Sequence, residues 1–130
     1  MIPSSWMRGF AVAKAASRYA VAPRIRNKMG AAIFSKSNLL SLGYNSYRCT
    51  HPDSANTRLF ARNLHSEHSA LLKIRHYDNQ NLVIYVYRET ADGKPASSKP
   101  CDNCIFLLKL AGIRRARYFD NQGNMAEMIL

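Results

Sequence analysis

The segment LVIYVYR, Leu82 to Arg88, is a nearly unbroken run of β-branched and aromatic residues. A strand with one wet face alternates apolar and polar side chains, whereas an apolar run without alternation marks a strand covered on both faces. This one element therefore demands a layer of structure on each side of the sheet that contains it.

The flanking segments supply those layers. Upstream, HSEHSALLKIRH places Leu71, Leu72 and Ile74 at helical spacing until YDNQN breaks the pattern. Downstream, the polar loop ETADGKPASSK leads to CDNCIFLLKLAG, a buried helix that Gly112 should end, and then to the strand IRRARYF. Nearer the N-terminus, Phe10, Ala13, Ala16 and Ala20 recur every three or four residues, predicting a helix from about Arg8 that Pro23 terminates. The apolar runs Met29 to Phe34 and Leu39 to Tyr44, joined by SKSN, form a hairpin signature.

Only ten residues follow Asp120, too few for a helical crossover, which takes roughly a dozen residues or more. If Met125 to Leu130 forms a last strand, it should turn back antiparallel at NQG. The pattern predicts a single domain over residues 1–130, an α/β chain of three α/β/α layers around a mixed sheet of four to five strands.

No apolar run reaches the roughly 18 residues of a membrane span, and FAVAKAASRYAVA is interrupted by Lys14 and Arg18. That stretch is also amphipathic, Arg- and Ser-bearing and free of acids, as a mitochondrial transit peptide is, but it has a better use as the first helix. Three cysteines, an odd number, argue against a secreted disulfide framework and for a reducing, cytoplasmic setting with thiolates available to a metal.

The charge is one-sided. Nineteen Lys and Arg stand against eight Asp and Glu, a net of +11, and residues 1–52 hold eight of the cations and none of the acids. Such a field suits a polyanion or a phosphorylated ligand; the plainer reading is a basic face that serves only solubility.

Cys101 and Cys104 lie three apart at a helix start marked by Pro100, so both sulfurs share one face. The positive end of that helix should lower a thiolate's pKa. Two thiolates are half a zinc site: a structural site takes four protein ligands, a catalytic one three with the fourth position left to water. His65 offers a third ligand, and Glu67, two residues on, is placed to shuttle protons beside the vacancy. A structural rival would close the site with Cys49 or His68, and Cys49 with His51 could be half of a second metal site. Otherwise Cys49 reads as a small buried hydrophobe.

The combination His65-x-Glu67 followed by Pro100-Cys101-x-x-Cys104 resembles the signature of zinc nucleobase deaminases. The chain is similar over most of its length to the cytidine deaminase-like superfamily. Its hairpin KMGAAIF and LLSLGYN, its strand LVIYVYR, and the helix and strand of CIFLLKLAGIRRARYFD match that family's elements. The resemblance implies the cytidine deaminase-like fold, one Zn2+ per chain held by His65, Cys101 and Cys104, and Glu67 as general acid and base. It also implies hydrolytic conversion of cytosine to uracil by attack of water at C4. Asn45, ending the second strand, matches an asparagine that hydrogen-bonds the substrate in many relatives. Ser97, three residues before Pro100, matches a Ser or Thr beside the departing ammonia, and Ser66 joins them as a substrate-contact candidate. The family's frequent dimers and tetramers make a homo-oligomer an open expectation.

The charge favours cytosine in single-stranded DNA or RNA as substrate, with Arg24, Arg26, Lys28, Tyr47, Arg48, Arg58 and Arg62 as nucleic-acid contacts. Free (deoxy)cytidine or (d)CMP is the alternative. Adenosine in a tRNA-like substrate, and a non-catalytic fold that only binds nucleic acid, complete the set.

Overall fold

The computed structural model describes residues 2–19, 28–45, 66–71, 81–90 and 92–130, the side chain of His68 excepted. The LVIYVYR run forms β3 (Leu82–Glu89). It is covered on both faces as its pattern requires: Ile84 and Val86 enter one apolar cluster, Tyr85 and Tyr87 another.

Around β3 the sheet runs β2-β1-β3-β5-β6, with β1 (Lys28–Ser35), β2 (Asn38–Tyr44), β5 (Ile113–Phe119) and β6 (Met125–Ile129). Among the described residues only the β3–β5 pairing is parallel; β1–β2, β1–β3 and β5–β6 are antiparallel. The last strand does turn back, and Gly123 takes the left-handed φ of 81° that the turn before it needs. A sixth strand, β4 (Pro95–Ala96), adds two residues to the end of β3 from within the stretch read as loop. Two residues carry no periodicity, so nothing in the sequence separates such a strand from a loop.

One helix, α1 (Ser4–Ser17), covers the Tyr85 face. It starts four residues before the expected Arg8, directly after Pro3, which is its extended N-cap residue. Phe10 of α1 packs edge-on against Tyr85 at 5.4 Å and against Phe119 at 4.8 Å. A Cβ on Gly30 would collide with the Ala13 carbonyl, so only glycine lets α1 lie this close to β1.

The other face carries α2 (Ser66–Leu71), the described part of the HSEHSALLKIRH helix, and α3 (Asp102–Leu110). Gly112 follows α3 with φ of 85°, the left-handed helix stop expected of it. Three layers result, with α1 on one side of the sheet and α2 and α3 on the other. Among the described residues, no helix is long and apolar enough to cross a membrane.

Candidate metal and catalytic site

The site forms where α2 and α3 begin, on the sheet face opposite α1. Two features of β2 set the position of α2. Ser41 Oγ donates to the Ala70 carbonyl at 2.7 Å, tying the far end of the helix to the strand. Gly43 has no side chain, and a Cβ there would strike the Ser66 carbonyl and the Ala70 amide. The start of α2 therefore rests directly on the backbone of β2.

That placement buries Ser66 completely and leaves Glu67 only 2% exposed. A buried carboxylate needs donors, and Ser66 Oγ gives one to Glu67 Oε1 at 2.9 Å. Serine at a helix start ordinarily caps a backbone N–H; here the hydroxyl orients the neighbouring acid instead.

Cys101 is the extended N-cap of α3 and exposed, while Cys104, one turn in, is fully buried. Neither is in a disulfide. The Cys104 thiol hydrogen-bonds with the Cys101 side chain, is desolvated, and feels the charge of Glu67; together these push its pKa far above the ordinary thiol range. The lowering expected from the helix end is outweighed, because two sulfurs and a carboxylate crowd together with only protons between them. A divalent cation fits this donor set: it replaces the protons and removes the repulsion that holds them on.

Among the described residues no three His, Cys, Asp or Glu side chains are grouped as a complete metal site. Cys101 and Cys104 thus make a half-site with Glu67 alongside. The expected third ligand, His65, precedes Ser66 in the chain but lies outside the described residues, as do Cys49 and His51.

The other candidates divide. Asn45 sits just beyond β2, where its side-chain Oδ1 accepts the Met29 backbone N–H at 2.9 Å and its backbone N–H donates to the Met29 carbonyl at 3.3 Å. This reciprocal clamp fixes the side chain's orientation at the end of the hairpin. Ser97 is half-buried, and its carbonyl accepts Arg88 Nη1 at 3.3 Å. Lys28 is exposed at the start of β1, opposite Glu89 in register. Arg24, Arg26, Tyr47, Arg48, Arg58 and Arg62 lie outside the described residues.

Sequence reading missed Ser98. It is 1% exposed, its Oγ donates to the Val86 carbonyl and accepts the Phe119 amide, both at 2.8 Å, and its amide donates to the Phe119 carbonyl at 2.9 Å. It thereby stitches the segment leading to Pro100 and Cys101 between β3 and β5. Its signal, a Ser in SSK beside a cysteine pair, does not distinguish the stitch from its neighbour Ser97.

Comparison with known proteins adds to this geometry. The family model described as the zinc-binding region of cytidine and deoxycytidylate deaminases matches residues 4–119. Sequence comparison with curated proteins finds no match. Among solved structures, the cytidine deaminase from Burkholderia pseudomallei is similar with a TM-score of 0.67 and 21% identity, covering 95% of this chain and 91% of that one. The apo dCMP deaminase of cyanophage S-TIM5 follows at 0.63 and 20%, covering 93% of this chain and 86% of that one. The cytidine deaminase from Mycobacterium leprae gives 0.61 and 22%, with 94% and 92% covered.

Proposed function

The chain belongs to the family of cytidine and deoxycytidylate deaminases, which are zinc-dependent hydrolytic enzymes, and we propose that it converts cytosine to uracil in a free nucleoside or nucleotide. The observation that carries the chemistry is the buried Glu67 carboxylate, hydrogen-bonded by Ser66 and set against the Cys101–Cys104 pair.

In this reading Cys101, Cys104 and His65 hold the zinc. Zinc, when bound, supplies the Lewis acidity that makes water a competent nucleophile near neutral pH. Glu67 does the proton work: it takes one proton from the attacking water, delivers it to the ring nitrogen, and passes the second to the departing amine, so that ammonia leaves. Burial keeps competing solvent from the carboxylate, and the Ser66 hydroxyl holds Oε1 in place while the proton moves. Asn45, oriented by the Met29 backbone, contacts the substrate's base or sugar, and Ser97 flanks the leaving amine. The two thiols, outside any disulfide, support a reducing, cytoplasmic compartment.

For the substrate, sequence charge alone favours a polymer. The free pyrimidine takes precedence because the similar structures covered almost end to end are a cytidine deaminase and a dCMP deaminase. Cytosine in single-stranded nucleic acid is retained as the second reading on one observation, the net charge of +11.

The test is a panel of cytidine, deoxycytidine, dCMP, adenosine, and single-stranded oligonucleotides containing cytosine or adenine, incubated with zinc-loaded protein and read by mass. Turnover of a free cytosine compound above that of the oligonucleotides is expected. Turnover confined to oligonucleotides selects the second reading, and turnover of none of them overturns the proposal.

A further inference from the structure

A cavity lined by three cations is remote from the proposed chemistry. It is a cavity of about 380 Å³ on the α1 face, at the end of the sheet where Ser35 of β1 pairs with Leu82 of β3. The cysteine pair and Glu67 lie on the opposite face. Its lining includes Phe34, Val83 and Tyr85, and three cations border it: Arg8 from α1, Lys36 from the β1–β2 turn and Arg117 from β5.

The cations are unequally compensated. Arg117 bonds to Glu127 Oε2 at 2.8 Å and to the Tyr85 hydroxyl, and stacks on Trp6 at 4.7 Å. Arg8 is held over the Phe34 ring at 5.6 Å, with Nη1 donating to the Ser37 carbonyl at 2.9 Å. Neither Arg8 nor Lys36 has a carboxylate partner among the described residues. Among the described residues, no Asp or Glu lines the cavity.

The backbone at its rim is unusual as well. Among the described residues the only non-glycine positions with positive φ are Lys36, at 56°, and Asn81, at 70°, and both line this cavity. Asparagine tolerates that region, whereas lysine adopts it at a cost that glycine or asparagine would avoid. A two-residue hairpin turn is where Asn or Gly is favoured, so lysine there runs against local preference in a way that function explains.

We propose that this cavity binds a small phosphorylated molecule, its phosphate between Arg8 and Lys36 and its ring or apolar body against Phe34, Val83 and Tyr85. A dianion matches two cations that have no carboxylate partner among the described residues, and guanidinium with ammonium is a pairing that recognises phosphate oxygens through charge-assisted hydrogen bonds. The volume falls within the range of small-ligand pockets, roughly 300–1,000 Å³, and exceeds what a bare phosphate would fill. Ser5 and Asn81 supply further hydrogen-bonding groups at the rim.

Phenyl phosphate, which carries both the dianion and a flat ring, is the probe, with phenol as the neutral control. It is titrated into zinc-loaded protein and followed by backbone amide shifts. The expected result is saturable one-site binding that moves the amides of Ser37, Asn81 and Val83, with phenol without effect. The double variant Arg8→Gln/Lys36→Asn should weaken binding about tenfold or more while cytidine deamination stays unchanged. Binding unaltered in that variant, or no saturation, overturns the proposal. So does a thymidine oligonucleotide that moves the same amides where phenyl phosphate does not, since the occupant is then a nucleic-acid backbone.

Discussion

A carboxylate that is 2% exposed has given up most of its hydration, a cost that bonds with the Ser66 hydroxyl and the Cys104 thiol offset only in part. Glu67 therefore opposes folding, as expected of a group placed for the proton transfer proposed above. Glu67→Gln removes the charge and keeps the shape. Turnover should fall about a hundred- to ten-thousand-fold, bound zinc should remain at one per chain, and the melting temperature should hold or rise. Steady-state kinetics, metal analysis and calorimetry on one preparation check all three, and a variant that lost its zinc would show Glu67 to be a ligand instead. At this scale the sequence was informative where chemistry restricts the residue type: thiolates at i and i+3 and a carboxylate two residues beyond a histidine have few other uses together. It named Ser66 as a substrate contact and did not give the bond to Glu67 Oε1, which spacing alone does not record.

Between elements, the site depends on how closely α2 approaches the sheet. Gly43 permits that approach, and Gly43→Ala inserts a methyl group into the Ser66 carbonyl, which must move and carry Glu67 with it. The expected loss is about 1–3 kcal/mol of stability, seen as a lower denaturation midpoint with unchanged slope, together with a drop in kcat greater than any change in KM. Ser98→Ala tests the other side of the site. It leaves the buried Phe119 amide and Val86 carbonyl without their hydroxyl partner, at about 1–3 kcal/mol, and loosens the segment that presents Cys101, so zinc should dissociate faster under a chelator. Helices and long strands were legible because their periods repeat over several residues. Gly43, Ser98 and β4 were not: each acts through one contact with a chain segment distant in sequence, and no local pattern records such a contact. The early start of α1 has a different origin: Pro3 precedes a helix whose apolar face begins later.

Across the whole molecule, the sheet separates two chemistries. One face carries the buried acid and the thiols, the other the cations of α1, the β1–β2 turn and β5, and the net charge of +11 surrounds both. The unbroken apolar run of β3 made the layering legible from sequence alone, because both faces of such a strand must be covered. The charge excess was equally plain, but a count of cations has no geometry: it cannot distinguish a channel for a polymer from a cleft for one phosphate. Salt distinguishes them. Binding to single strands loses counterions with a log–log slope of about −0.7 for each phosphate neutralised, whereas a neutral nucleoside releases none. With cytidine as substrate, kcat/KM should stay within about twofold as salt rises from about 50 mM to about 200 mM, while any oligonucleotide binding by the same protein falls steeply. Neutralising Arg24, Arg26 and Lys28 should flatten the oligonucleotide slope and leave cytidine turnover intact. If instead cytosine turnover in an oligonucleotide exceeds that of cytidine at low salt and collapses in parallel with binding, the basic surface belongs to the substrate path and the polymer reading replaces the nucleoside one.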